Sequence, residues 1–229
     1  MSEESIFDLI LKDRPQLHDS GNVCYGISTQ ALRALWELAK PGSQTVETGA
    51  GLSTIILAAR GCNHTCITPS SEEVTRIGQY CADRKIDLSR VNFMTSRSED
   101  VVPGFSRGRF DLVLIDGRHG FPTPFIDWFY LGRALKLGGH LFVDDTQLFT
   151  VRLLGEFLSA DPDWLFVGEY GCRTGVYRKT GNAYLNKEWC AQPYIAGKSR
   201  LGIFRYTVRK KYGSLCQFIG RRLKGSSGF

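Results

Sequence analysis

The sequence predicts an α/β protein: a doubly wound, mostly parallel sheet of seven strands, followed by a basic amphipathic C-terminal tail. Three observations carry this. Short apolar runs of strand length alternate with helical spacings from about residue 27 to residue 160, as a parallel sheet covered on both faces requires. The first strand-like run ends in a glycine turn, VETGAGLST (46–54), which opens a helix. The last two runs are separated only by a short Gly-containing turn, so they pair antiparallel.

The elements follow in order. ISTQALRALWELAK (27–40) places Leu32, Leu35, Trp36 and Leu38–Ala39 at helical spacing, and Pro41-Gly42 ends it. TVET (45–48) is the first strand, and a helix begins near Ser53 and runs to Arg60. HTCIT (64–68) precedes SSEEVTRIGQYCADRK, with Ser70 or Ser71 as N-cap and Glu73 near the first turn. VNFMT (91–95) precedes a short turn at SEDVVP. FDLVLID (110–116) precedes a helix around 125–137, and GHLFVDD (139–145) precedes LFTVRLLGEFLSA (148–160). WLFVGEY (164–170) and TGVYRK (174–179) close the sheet. The expected division is 1–180 for the α/β domain and 181–229 for the extension.

Composition narrows the class. A chain of 229 residues with 42% hydrophobic content suits one domain with a full core. No stretch approaches the roughly 20 apolar residues of a membrane span. The N-terminus, MSEESIFDLI, is acidic where a signal peptide would be basic. Seven scattered cysteines without a CxxC read as reduced thiols of a cytoplasmic protein. The net charge of +6 conceals an asymmetry: residues 198–229 hold nine basic residues and no acid, leaving −3 for residues 1–197.

In the glycine turn, Gly49 and Gly51 let the backbone approach a ligand at the N-terminus of the following helix. A dinucleotide fingerprint would need glycine at position 54, which is Thr54. The E-x-G-x-G of Glu47, Gly49 and Gly51, with the closing antiparallel pair, resembles class I S-adenosylmethionine-dependent methyltransferases over about residues 25–180. The resemblance implies that Glu47, Gly49 and Gly51 line the methionine part of the cofactor, beside Ser53 at the helix start. Ser98-Glu99, after the third strand, resembles the adenine-contacting segment of catechol O-methyltransferase-like enzymes. The family's ribose-binding acid at the end of the second strand is replaced here by Thr68-Pro69-Ser70, with Glu72 and Glu73 as candidates to reach in.

Two neighbouring strands end in carboxylates: Asp116 after the fourth, Asp144 and Asp145 after the fifth. Crowded carboxylates repel unless protonated or shared by a cation, and a few oxygen ligands completed by water suit Mg²⁺. The pattern resembles the catechol-type and the macrocin/mycinamicin sugar-type metal-dependent O-methyltransferases, which implies Asp116, Asp144 and Asp145 as metal ligands and His119 as the base. Asp116 reads equally as a cofactor contact, and Asp145-Thr146 as the N-cap of the next helix. Phe121 and Pro122 are expected near the site, with Trp128 and Phe129 as pocket walls or core. CYGIS (24–28) is a candidate segment to close over the cofactor.

In the tail, Leu201, Phe204, Val208, Tyr212, Leu215, Ile219 and Leu223 recur at steps of three or four among the cations, with a break expected at Gly213. Peripheral contact with an anionic membrane and a helix that docks on the body or a homo-oligomer partner compete; nucleic acid ranks third, without an RNA-binding signature. The resemblance as a whole implies an S-adenosylmethionine-dependent, Mg-assisted O-methyltransferase acting on a hydroxyl of a sugar, other glycan or small molecule. A metal-free small-molecule methyltransferase and a non-catalytic Rossmann-like binding protein remain alternatives.

Overall fold

The computed structural model describes residues 3–18 and 26–224, and the side chains of residues 6–18 and 26–212. Cys24 and Tyr25 of the candidate closing segment lie outside the described residues. The chain divides into two units, Met1–Asn182 and Ala183–Phe229.

In the first unit, a helix not anticipated from the sequence, α1 (Glu3–Asp13), precedes α2 (Thr29–Leu38). Ser28 caps α2, its hydroxyl accepting from the Ala31 amide at 3.1 Å. Then come β1 (Gln44–Thr48), α3 (Leu52–Ala59), β2 (Asn63–Thr68), α4 (Ser71–Arg84), β3 (Val91–Thr95), the single turn α5 (Ser98–Val101) and β4 (Phe110–Ile115). The unit finishes with α6 (Thr123–Ala134), β5 (Leu135–Val143), α7 (Phe149–Ala160), β6 (Trp164–Tyr170) and β7 (Thr174–Lys179). The seven strands stand in the order β3-β2-β1-β4-β5-β7-β6, with β7 antiparallel to both of its neighbours. The fold class is the predicted one.

Side-chain alternation explains why the strands read as continuous apolar runs. Leu112, Leu114, Phe142 and Val176 join one core with the buried faces of α1, α2 and α3. Val113, Ile115, Leu141 and Val143 alternate with them and are buried too, on the face that α6 and α7 cover. Burying each such side chain contributes about 1.5–3 kcal/mol.

One boundary differs from expectation. The helix predicted to 137 stops at Ala134, and β5 begins at once at Leu135. The last helical carbonyls are taken up from the start of β4: Arg109 N–H donates to Ala134 at 2.7 Å and Gly108 N–H to Arg133 at 3.2 Å. Leu135 then pairs with Phe110, so tertiary hydrogen bonding sets the boundary that helical periodicity overran.

The second unit holds two short 3-10 turns, Ala183–Asn186 and Trp189–Ala191, and the helix α8 (Pro193–Lys224). The break expected at Gly213 is absent: α8 runs through it. Among the described residues no helix is long and apolar enough to cross a membrane.

Candidate active site

The carboxyl ends of β1, β2, β4 and β5 surround a cavity of about 530 Å³, in the range of small-molecule sites. Its floor is the turn from Thr48 to Ser53. Gly49 sits at φ +89°, and a Cβ there would lie 2.3 Å from the Asp116 carbonyl oxygen. That close approach is why glycine is needed: the β1 turn crosses directly over the end of β4. Gly51 has extended backbone (φ −179°) and caps α3 without a side chain, leaving the helix's first amides open to the cavity. Those amides suit a carboxylate such as that of a methionyl group.

Glu47 does not reach this space. Its side chain is buried beneath the turn, where one oxygen accepts from the Thr54 hydroxyl and stands 3.0 Å from His64 Nε2. The expectation that Glu47 lines the methionine part is corrected to a carboxylate under the turn. The reason is strand alternation: position 47 points into the core on the face of Cys66, its partner across β2. Ser53, Ser98 and Glu99 do line the cavity, as do Gly49, Gly51 and Asp116.

At the end of β2, where the resemblance leads one to expect an acid, the sequence has none, but Glu73 faces the cavity. Glu73, in the first turn of α4, lines the cavity and accepts from Thr68 Oγ1 at 2.9 Å. Its other oxygen is 2.7 Å from His18 Nδ1. The Glu73 amide is held by the Ser70 N-cap hydroxyl at 3.2 Å. Of the two candidates Glu72 and Glu73, the capped first turn aims Glu73 inward, while Glu72 accepts from the exposed Ser70 hydroxyl. A carboxylate there suits a pair of ribose hydroxyls. His18 also lines the cavity. No local spacing signals it, because it arrives from the chain before α2.

At the β4–β5 edge, ligand atoms of Asp116, His119 and Asp145 lie within 4.8 Å of one another. His119 Nε2 is 2.8 Å from Asp145 Oδ2. Arg173, from the turn between β6 and β7, donates to Asp145, and Gln147 Nε2 does so at 2.6 Å. Burial works to raise the Asp145 pKa, but these bonds, led by that to His119, hold it below the ordinary carboxylate value. Asp116 goes the other way: burial, then the charges of Asp144, Asp145 and Glu47, push it well above.

Asp144 is not part of this group. It is fully buried, accepting from the Thr174 hydroxyl and from Arg173 Nη2 at 3.2 Å. Burial raises its pKa despite those bonds. The expectation of Asp144 as a metal ligand is thereby corrected: its carboxylate is buried against Thr174 and Arg173 and does not line the cavity, whereas Asp145 does. Asp145 adopts left-handed backbone (φ +62°), tolerated by Asp, which turns it outward. Nor do Asp145 and Thr146 cap α7, since Thr146 Oγ1 donates to the Arg173 carbonyl at 2.9 Å. Phe121 is 75% exposed, beside His119 in sequence but not in the lining, and Trp128 is core, packed edge-on against Phe157 at 5.1 Å. Phe129 packs against Tyr130.

The donor set of two carboxylates and an imidazole fits a divalent cation, softer in character than the three carboxylates expected for Mg²⁺. Without a cation the same atoms form a carboxylate–imidazole pair suited to moving a proton.

A family model described as a methyltransferase domain matches residues 46–146. Among solved structures, the O-methyltransferase TomG from Streptomyces achromogenes, involved in tomaymycin synthesis and bound to S-adenosylmethionine, superposes with a TM-score of 0.60 at 18% identity, covering 79% of this chain and 100% of TomG. A Corynebacterium glutamicum protein gives 0.60 at 17% identity over 78% and 91% of the two chains. A Geobacter sulfurreducens methyltransferase gives 0.56 at 15% identity over 78% and 89%. No curated protein sequence matches the chain. Residues 46–146 thus match a methyltransferase-domain model, and the solved structures share the fold of the first unit.

Proposed function

We propose that the protein methylates a hydroxyl oxygen of a small molecule, a sugar or other glycan unit among the candidates, with His119 as the base. The observation that carries this is the His119–Asp145 pair, 2.8 Å apart at the rim of the cofactor cavity. S-adenosylmethionine supplies a methyl group on a sulfonium, ready for in-line displacement. The α3 amides at Gly51–Ser53 would hold its carboxylate, Glu73 its ribose, and Ser98-Glu99 its adenine. Asp145 orients the imidazole through Nε2, which leaves Nδ1 to take the hydroxyl proton, and its charge stabilises the imidazolium that forms. Arg173 fixes Asp145 from behind.

A second reading is Mg²⁺ assistance, favoured by the clustering of Asp116, His119 and Asp145. The cation would be held by the Asp116 and Asp145 carboxylates, and would lower the pKa of the acceptor hydroxyl. Asp144, buried against Arg173 and Thr174, lies outside that cluster.

The test is an acceptor screen scored by S-adenosylhomocysteine release, repeated in EDTA and with His119→Ala. The base reading expects turnover to survive EDTA and to fall by about 10²–10⁴-fold in His119→Ala, with S-adenosylhomocysteine affinity retained. Turnover abolished by EDTA and restored by Mg²⁺, again with affinity retained, assigns the cation. Failure to bind S-adenosylhomocysteine at all would sink both readings.

A further inference from the structure

The helix α8 is not accounted for by methyl transfer. We infer that it is a peripheral anchor that lies in the surface of an anionic lipid bilayer. Leu201, Phe204, Val208 and Tyr212 fall on one stripe, at steps of three, four and four residues. Three of them are strongly exposed: Leu201 57%, Phe204 66% and Tyr212 60%. The same spacing continues in the sequence through Leu215, Ile219 and Leu223. Cations crowd the flanks and the opposite side, Lys198, Arg200, Arg209, Lys210 and Lys211 among them, with Arg205 at the edge of the stripe four residues from Leu201, and no acid occurs from Trp189 onward.

The absence of acids decides between occupants. A second copy of α8 would bring nine more cations to the seam with no carboxylate to answer them, so self-pairing through the stripe sets like charges side by side. A nucleic acid would satisfy the cations but leave the leucine, phenylalanine and valine side chains in water. An anionic bilayer surface satisfies both: the apolar stripe enters the headgroup–acyl boundary, and the long basic side chains extend to the phosphates. The helix is too polar to cross. Its 32 residues make a rod of about 48 Å lying in the plane of the surface. Ile203 and Tyr206, both exposed, fall on the side of the helix opposite the stripe.

The full-length protein is tested by flotation with vesicles of phosphatidylcholine alone and of phosphatidylcholine with about one-third phosphatidylglycerol. Two variants accompany it, L201S/F204S/V208S and R209Q/K210Q/K211Q, each checked for an unchanged thermal midpoint. The protein is expected to float with the anionic vesicles at least tenfold more than with the neutral ones, and less at 0.5 M salt, where screening shortens to about 4 Å. Each variant is expected to lose most of that binding. No flotation of the parent with anionic vesicles overturns the inference. So does the serine variant floating as the parent does, because charge alone would then suffice. Displacement from vesicles by bulk tRNA, with tRNA binding intact in the serine variant, assigns the tail to nucleic acid instead. A concentration-dependent dimer that the serine variant abolishes, without flotation, assigns it to self-association.

Discussion

Replacing Gly49 by alanine probes the turn on which the cofactor site is built. Two costs add. Placing an L-residue at φ +89° costs about 1–2 kcal/mol. The new Cβ would also stand 2.3 Å from the Asp116 carbonyl oxygen and 2.9 Å from its carbon, both backbone atoms, so a chain segment must move rather than a side chain. Moving it by roughly an ångström disturbs the Asp116 amide's 3.1 Å bond to Thr48 and the Gly49 amide's 2.9 Å bond to Ile67, worth about 1 kcal/mol each. The total is about 3–4 kcal/mol, a large part of the 5–15 kcal/mol of a typical domain. Gly42 provides the control, with φ +82° and no atom within 4 Å of its virtual Cβ. Gly42→Ala should therefore cost only the backbone strain, about 1–2 kcal/mol. Urea denaturation of the parent and both variants, followed by tryptophan fluorescence, reads the difference directly. If Gly49→Ala came within about 0.5 kcal/mol of Gly42→Ala, within the scatter expected of independent sites, the close-approach argument would be wrong. Gly51→Ala extends the test, because its extended backbone accepts any residue and the nearest atom to a Cβ is His18 Nε2 at 3.8 Å. It should leave stability nearly unchanged while weakening S-adenosylhomocysteine binding, since the methyl enters the cavity.

Two further predictions use the acids around the cavity. Glu73→Gln should weaken S-adenosylhomocysteine about tenfold by calorimetric titration, through loss of a charged acceptor, whereas Glu72→Gln should change it less than about twofold; equal effects would refute the assignment. Asp127 is fully buried on α6, and burial pushes its carboxyl up to about 6 against the opposing pull of the Ser98 and Thr48 hydroxyls. The raised value means the folded state holds the proton more tightly than the unfolded chain does. Its stabilisation is complete below pH about 4 and is lost as pH rises through about 6, by roughly 2–3 kcal/mol. Asp127→Asn should remove that dependence and be the more stable protein above pH 6. Urea midpoints at pH 4.5 and 7.5 that shift in parallel for both proteins would contradict this.

Much of the architecture was legible from residue order. Alternating apolar runs required a covered parallel sheet, and the short Gly-containing turn before Thr174 required a closing antiparallel pair. The glycine turn pointed to the edge of the sheet where the cavity lies, because βα turns at the carboxyl edge of a sheet have one side to face. The roles of individual acids were less legible. Strand alternation turns Glu47 under the turn, and Thr174 and Arg173 hold Asp144 in the interior, even though both acids belong to motifs that look like ligands. Which face each residue takes depends on the register of β1 against β2 and of β5 against β7, which no local spacing encodes. His18 and Arg173 reach the site from the chain before α2 and from the β6–β7 turn. The sequence alone determined the fold, the glycine turn and the charge asymmetry of the tail, because these follow from local periodicity and composition. Only the tertiary structure brought Asp145 rather than Asp144, and Glu73 rather than Glu72, to the cavity, because where a carboxylate emerges is set by the backbone it leaves and by what stands opposite.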